Sequence, residues 1–257
     1  MLERTFCHIA GIGPETERSL WKQGFDSWQM LLDNLSDASL GSASRQLVSR
    51  ELQTSIECLS AKNHQYFRKR LRQRNAWRAF EAFRDQTVYL DIETDGTQSS
   101  NSVTMIGLYD GADFRCLIKG DDLESFRDIV SHYSMIVTFF GTGFDLPVLE
   151  RRFPSLLIDQ IHFDLCPALK SLGIRGGLKK IEGFFGIERS AETQGLTGLD
   201  AIKLWRRYLA DDALALKTLI SYNREDVVNL EILAEKTYEK LQAKVLGLEL
   251  SQPRLGL

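Results

Sequence analysis

The stretch Thr87-Val88-Tyr89-Leu90-Asp91-Ile92-Glu93-Thr94 decides how the rest of this 257-residue chain is read. Its apolar residues predict a strand. Alternate side chains of a strand point to opposite faces, so Val88, Leu90 and Ile92 share one face while Asp91 and Glu93 share the other. Two neighbouring carboxylates repel each other, and charged groups are rarely kept on a core strand without a partner. A divalent cation resolves the conflict, because hard cations such as Mg²⁺ or Mn²⁺ take carboxylate oxygens and cancel the repulsion. The alternative is a solvated edge strand on which the pair has no function.

Beyond this strand the alternation resumes at Val103–Tyr109 and Phe114–Ile118, and the short glycine-containing loops between the three segments predict an antiparallel meander. A helix near Asp122–His132, a strand over Met135–Phe139 and a helix over Leu146–Phe153 follow, and then an extended piece at Ile161–Phe163. Helices over Pro167–Leu172, Leu178–Phe185 and Ala201–Tyr208 lead to a helical region from Asp212 to Asp226 and onward to Leu246. The first part of the chain reads as helical. The pattern therefore divides into a small all-helical domain, 1–80, and an α/β domain, 81–257, with a mixed sheet flanked by helices.

A chain that is 43% hydrophobic and 26% charged is long enough for one large core and a smaller unit. With a net charge of −3 the molecule as a whole does not attract nucleic acid, so any such binding rests on local patches or on metal ions. Cys7, Cys58, Cys116 and Cys166 are scattered singly, which fits reduced thiols rather than a disulfide framework or a zinc site. The start of the chain has no basic-then-apolar leader, and no apolar run approaches the ~18 residues of a membrane span. A cytoplasmic protein without a membrane partner is expected.

Further acids fall at predicted strand ends and helix faces. In Phe139-Phe140-Gly141-Thr142-Gly143-Phe144-Asp145-Leu146-Pro147 a strand runs into a glycine loop and Asp145 stands at a helix start, where Asp is also a common N-cap. In Tyr222-Asn223-Arg224-Glu225-Asp226 the phenol and the last carboxylate are four apart, so a helix stacks them on one face, either beside a metal or as a plain surface hydrogen bond.

In order and combination, Asp91-x-Glu93, Phe144-Asp145 and Tyr222-x-x-x-Asp226 resemble the three motifs of the DEDD exonucleases of ribonuclease H-like fold. The tyrosine-containing third motif is similar to that of B-family polymerase proofreading domains, and the resemblance spans about residues 78 to 240. It implies that Asp91, Glu93, Asp145 and Asp226 bind two divalent ions, Mg²⁺ or Mn²⁺, and that Tyr222 places the attacking water. It implies 3′–5′ hydrolysis of DNA, at single-stranded or frayed ends. A binding module without turnover and a structure-selective endonuclease on the same fold are the other readings. Asp164 reads either as a supporting or substitute ligand or as a helix N-cap. Phe140 stands where relatives usually have Asn, which bears on substrate choice more than on metal binding.

Two stretches outside these motifs suggest nucleic-acid contacts. His8 to Thr16, with Gly11, Ile12 and Gly13 in a tight turn before a helix, resembles a helix-hairpin-helix motif, a non-specific DNA-backbone binder in repair proteins. Glu15 and Glu17 crowd such a phosphate site, and a purely packing role is the alternative. Phe67 to Arg78 contains six basic residues and no acid. On one helix Arg70, Arg74 and Arg78 form a stripe that can track phosphates, unless the run is only a solvated face. The glycines and cations of Gly173 to Lys180 read as a turn near the substrate or an ordinary helix-joining loop.

Overall fold

The computed structural model describes residues 1–248, which form two compact units: Met1–Asp85 together with Asp159–His162, and Gln86–Ile158 together with Phe163 onward. In the helical unit Gly13 caps and Pro14 opens α1 (Pro14–Lys22), where proline is tolerated because a first-turn N–H has no acceptor within the helix. Hydroxyls of Ser27 and Ser44 cap α2 (Trp28–Asp33) and α3 (Arg45–Ser60), and the Asn63 side chain caps α4 (His64–Arg70). The apolar faces of these helices bury Leu20, Trp28, Leu31 and Phe67 together with Phe6 and Phe83. Trp28 stacks on Phe67 at 5.8 Å between centroids, and its indole N–H donates to the Thr5 carbonyl at 2.7 Å, so the aromatic body is packed and its polar edge is satisfied.

The second unit is built on β1 (Thr87–Thr94), β2 (Val103–Tyr109) and β3 (Phe114–Ile118), the expected meander. Then come α5 (Phe126–Val130), β4 (Met135–Thr138), α6 (Asp145–Arg152), β5 (Ile161–Asp164) and α7 (Leu165–Ser171). The chain continues through α8 (Leu178–Phe184), α9 (Gly198–Tyr208) and α10 (Ala213–Leu246). The strand order is β3-β2-β1-β4-β5, with β1 antiparallel to β2 and parallel to β4, so the sheet is mixed as expected. The helix expected over Asp122–His132 is shorter. Asp122 commits its carboxylate to the Ile118 N–H at 2.7 Å and leaves a 3₁₀ turn, Leu123–Ser125, before α5.

Strand alternation sorts the core onto two sides. Val88, Leu90 and Ile92 of β1 pack with Ile106, Leu108, Phe126, Val148, Leu149 and Phe153 on one face. On the other, Met105 packs with Ala201, Leu204 and Trp205 of α9 and with Ala215, Leu219 and Tyr222 of α10. Glu93 is registered against Met105 and Asp91 against Gly107, so both acids of β1 face the side covered by α9 and α10. The C-terminal helical region is one continuous 34-residue helix, capped by the Asp212 side chain and ended by left-handed Gly247. Its length carries it past β1, β2, β3 and β4. Among the described residues no helix is long and apolar enough to cross a membrane, and all four cysteines are free thiols.

Candidate metal centre

Three strand and helix positions converge. One carboxylate oxygen each from Asp91, Glu93 and Asp226 lies within 4.8 Å of the others, so residues 135 positions apart in the chain present one oxygen cluster. Asp145, at the start of α6, is 2% exposed and joins them electrostatically, since its charge raises the pKa of both Asp91 and Glu93. Tyr222 precedes Asp226 by one turn of α10 and is buried beside it. An open cleft of about 350 Å³ reaches the cluster, with Asp91, Phe139, Lys179, Tyr222 and Asp226 among its walls.

The electrostatics report the strain of packing acids together. Burial, and after it the neighbouring Asp226, lifts Glu93 to about 8, and burial lifts Asp145 to about 7 against the opposing pull of the Asp145 and Ile92 backbone N–H groups. Burial raises Asp226 to about 6 despite its ion pair with Arg189, and Asp91 is raised well above the ordinary range by burial and by its three acidic neighbours. Glu93 Oε1 and Asp145 Oδ1 are buried without a hydrogen-bond partner. Orphaned oxygens in an acid cluster fit a hard cation, which takes carboxylate oxygens and removes the repulsion at once. The Tyr222 phenol is pushed upward by burial and then by Asp226, Glu93 and Asp91, so it stays neutral and serves as a hydrogen-bonding group.

Several residues of the site escaped the motif reading. Asn223 Nδ2 donates to Asp91 Oδ2 at 3.0 Å, bridging α10 to β1. That approach requires Gly107, because a Cβ there would stand 1.8 Å from Asn223 Oδ1. A glycine inside a strand is itself a sign of close approach. Lys179 Nζ lies 3.3 Å from the Tyr222 hydroxyl and 4.4 Å from the ring centroid. Arg189 bonds Asp226 and, through two nitrogens, Glu182. Lys179 belongs to the glycine- and cation-containing stretch Gly173 to Lys180, whose end lines the cleft, whereas Arg189 has no signal in local spacing.

Asp164 lies close enough for its charge to raise Asp145, and its carboxylate is bound by backbone donors. Its oxygens accept from the backbone N–H of Phe140 at 2.8 Å, Thr142 at 2.9 Å and Cys166 at 3.1 Å, so it caps α7 and braces the loop leading to Asp145. Phe140 in that loop is left-handed (φ 69°) and 52% exposed.

The basic stripe is corrected by the structure. The helix stops at Arg70, Leu71 is extended and Gln73–Ala79 forms a 3₁₀ segment, so Arg70, Arg74 and Arg78 do not share a helix face. Arg70 and Arg74 are exposed, with Arg70 paired to Glu51 at 3.1 Å, whereas Arg78 is buried and its Nη1 donates to both oxygens of Glu17 at 2.9 and 3.0 Å. Arg78 is thereby withdrawn from any phosphate. Glu17 does not crowd the glycine turn either. It is 1% exposed and also accepts from the Phe6 and Cys7 N–H groups. In that turn Gly11 is exposed at φ 88°, Ile12 is buried and Gly13 caps α1, while the segment ahead is a three-residue 3₁₀ turn, Leu2–Arg4, rather than a full helix.

Comparison with known proteins places the chain. A family model described as RNase_H superfamily matches residues 88–238, and the chain belongs to the RNase H superfamily. Among solved structures it is similar to the family B DNA polymerase from the hyperthermophilic archaeon Pyrobaculum calidifontis. The identity is 21% and the TM-score 0.48, over 58% of this chain and 24% of that one, so the match spans about a quarter of the polymerase. No curated protein matches the sequence.

Proposed function

We propose that this chain is a divalent-metal-dependent 3′–5′ exonuclease that hydrolyses phosphodiester bonds of DNA at single-stranded or frayed ends. The observation that carries the reading is the meeting of Asp91, Glu93 and Asp226 within 4.8 Å, with Asp145 and Tyr222 beside them. Each of these residues comes from one of the three motifs, in the same order along the chain.

In this reading Asp91, Glu93, Asp145 and Asp226 hold two Mg²⁺ or Mn²⁺ ions. Such ions supply a hydroxide nucleophile at neutral pH and charge stabilisation for the leaving 3′-oxygen. Four carboxylates balance the charge of two divalent ions, which makes the set a stable host. Tyr222, neutral and held by α10, orients the attacking water rather than taking its proton. Lys179, half-buried in the cleft wall, offers a positive charge to an anionic substrate. In the helical unit the exposed Arg70 and Arg74 and the turn at Gly11 and Gly13 supply sequence-independent backbone contacts.

A 5′-labelled single strand incubated with the protein and Mg²⁺, Mn²⁺ or EDTA tests the reading. Stepwise shortening that requires metal and is lost in Asp91→Ala and Asp226→Asn is expected. Undiminished degradation by Asp91→Ala refutes the assignment, and cleavage of a closed circle replaces the exonuclease by an endonuclease.

A further inference from the structure

Asp226 is held by a chain of buried side chains that none of the three motifs contains. Asn229 Nδ2 donates to Glu182 Oε1 at 2.9 Å. Glu182 accepts from Arg189 Nε at 2.7 Å and from Nη2 at 2.6 Å, and the same Nη2 donates to Asp226 Oδ1. The side chains of Glu182 and Arg189 are only 2% and 6% exposed, and the guanidinium stands 5.8 Å from the centre of the Tyr222 ring.

Burying an Arg–Glu pair costs desolvation that a hydrophobic replacement would avoid, so its contribution to stability alone is weak. What the pair does supply is direction. A fork bound on two sides to Glu182 has few rotamers left, and its bond to Oδ1 fixes the rotation of the Asp226 carboxylate. Net charge does not change, because Glu182 balances Arg189, and the cluster keeps its negative potential for a cation.

We infer that Arg189, locked by Glu182 and Asn229, is a positioning residue that orients the Asp226 carboxylate for cation binding. The inference rests on the proposed metal site and goes beyond it, since it concerns Glu182 on α8, Arg189 in the α8–α9 connection and Asn229 on α10, outside the three motifs. Hydrogen-bonded partners of metal-binding carboxylates typically control affinity by about 10–100-fold.

The test is Mn²⁺ binding to the full chain without nucleic acid, measured by titration calorimetry or by the spectrum of free Mn²⁺, at a temperature where circular dichroism shows each variant folded. Arg189→Gln is expected to bind Mn²⁺ about 10–100-fold more weakly than wild type. Arg189→Lys, which keeps the charge but not the fork, should fall in between, and it remains informative if Arg189→Gln does not fold. Affinities equal to wild type in a folded variant overturn the inference even if thermal stability drops, because a merely structural bridge leaves the metal affinity alone. Tighter binding also overturns it, by showing that Arg189 competes with the cation. If wild type itself binds no Mn²⁺, the metal reading and this inference fall together; if it does bind, only the role of Arg189 is at stake.

Discussion

Replacing Gly107 by alanine should damage the bridge between α10 and β1 out of proportion to one methyl group. The new Cβ would lie 1.8 Å from Asn223 Oδ1 and 2.8 Å from Asn223 Cγ, far inside contact distance. Asn223 is fully buried, so a displaced amide has no bulk water to bond instead. Either the amide is driven off Asp91 Oδ2, losing a hydrogen bond to a carboxylate of about 1.5–3 kcal/mol, or the helix shifts at a similar overpacking cost of about 1–3 kcal/mol. A loss of ~1–3 kcal/mol is expected for Gly107→Ala in urea unfolding of the metal-free protein, with an unchanged slope. In an Asn223→Ala background the methyl group enters the space vacated by the amide, so the same glycine substitution should cost less than ~1 kcal/mol. The coupling is the decisive quantity. If Gly107→Ala costs the same in both backgrounds, or costs nothing in either, the close approach that accounts for this glycine is refuted.

Two further outcomes follow from the same geometry. With metal removed by EDTA, Glu93 holds its proton up to about pH 8, against an ordinary value of 4.5 for the unfolded chain. The folded state therefore binds the extra proton, and this group's contribution to stability falls as pH rises from about 4.5 to about 8, then levels off. Glu93→Gln should accordingly gain on wild type across that window. Taking the difference cancels His8, which burial lowers to about 4 and which acts in the opposite direction. A difference that is flat with pH in paired denaturation curves would remove the charge-repulsion account, and saturating Mg²⁺ should abolish the gain. Asp164→Ala should free the backbone N–H groups of Phe140 and Thr142, so their hydrogen exchange should accelerate at least tenfold while that of the β1 amides holds; unchanged exchange at both would show that Asp164 does not brace the loop.

The sheet was legible because its signal is local. Alternation in Thr87–Thr94 assigns faces without knowledge of any neighbour, and the register of Asp91 with Gly107 and Glu93 with Met105 puts both acids on the α9/α10 side. The acids at 145 and 226 were legible through their order along the chain. The basic run was misread because helix-charge reasoning looks for partners three or four residues away, whereas Arg78 is paired with Glu17, 61 residues upstream, and Arg70 with Glu51, 19 upstream. The charge on Glu17 was misplaced for the same reason, since its partners are reached only by folding. Asn223 was within view, inside the third motif, but its role depends on an absent side chain at Gly107 in another strand. Arg189 and Glu182 lie on no periodic pattern, and only the packing of α8 beside α10 brings them to Asp226.

The acids of this site are not what holds the fold together. Both faces of the sheet are closed by apolar clusters, which pack β1 and α10 through side chains other than these acids. Burial raises all four carboxylates above their ordinary range, so each ionised form opposes folding in the metal-free chain. At Glu93 an amide in place of the carboxylate would give a more stable metal-free protein, because it removes a buried charge without stranding a partner, whereas loss of Asp226 would strand Arg189. Carboxylates kept against that gradient, with the orphaned oxygens of Glu93 and Asp145 among them, are the arrangement expected of a site whose remaining interactions are completed by a cation. For that reason stability and metal affinity should move in opposite directions at Glu93, whereas at Arg189 they should fall together.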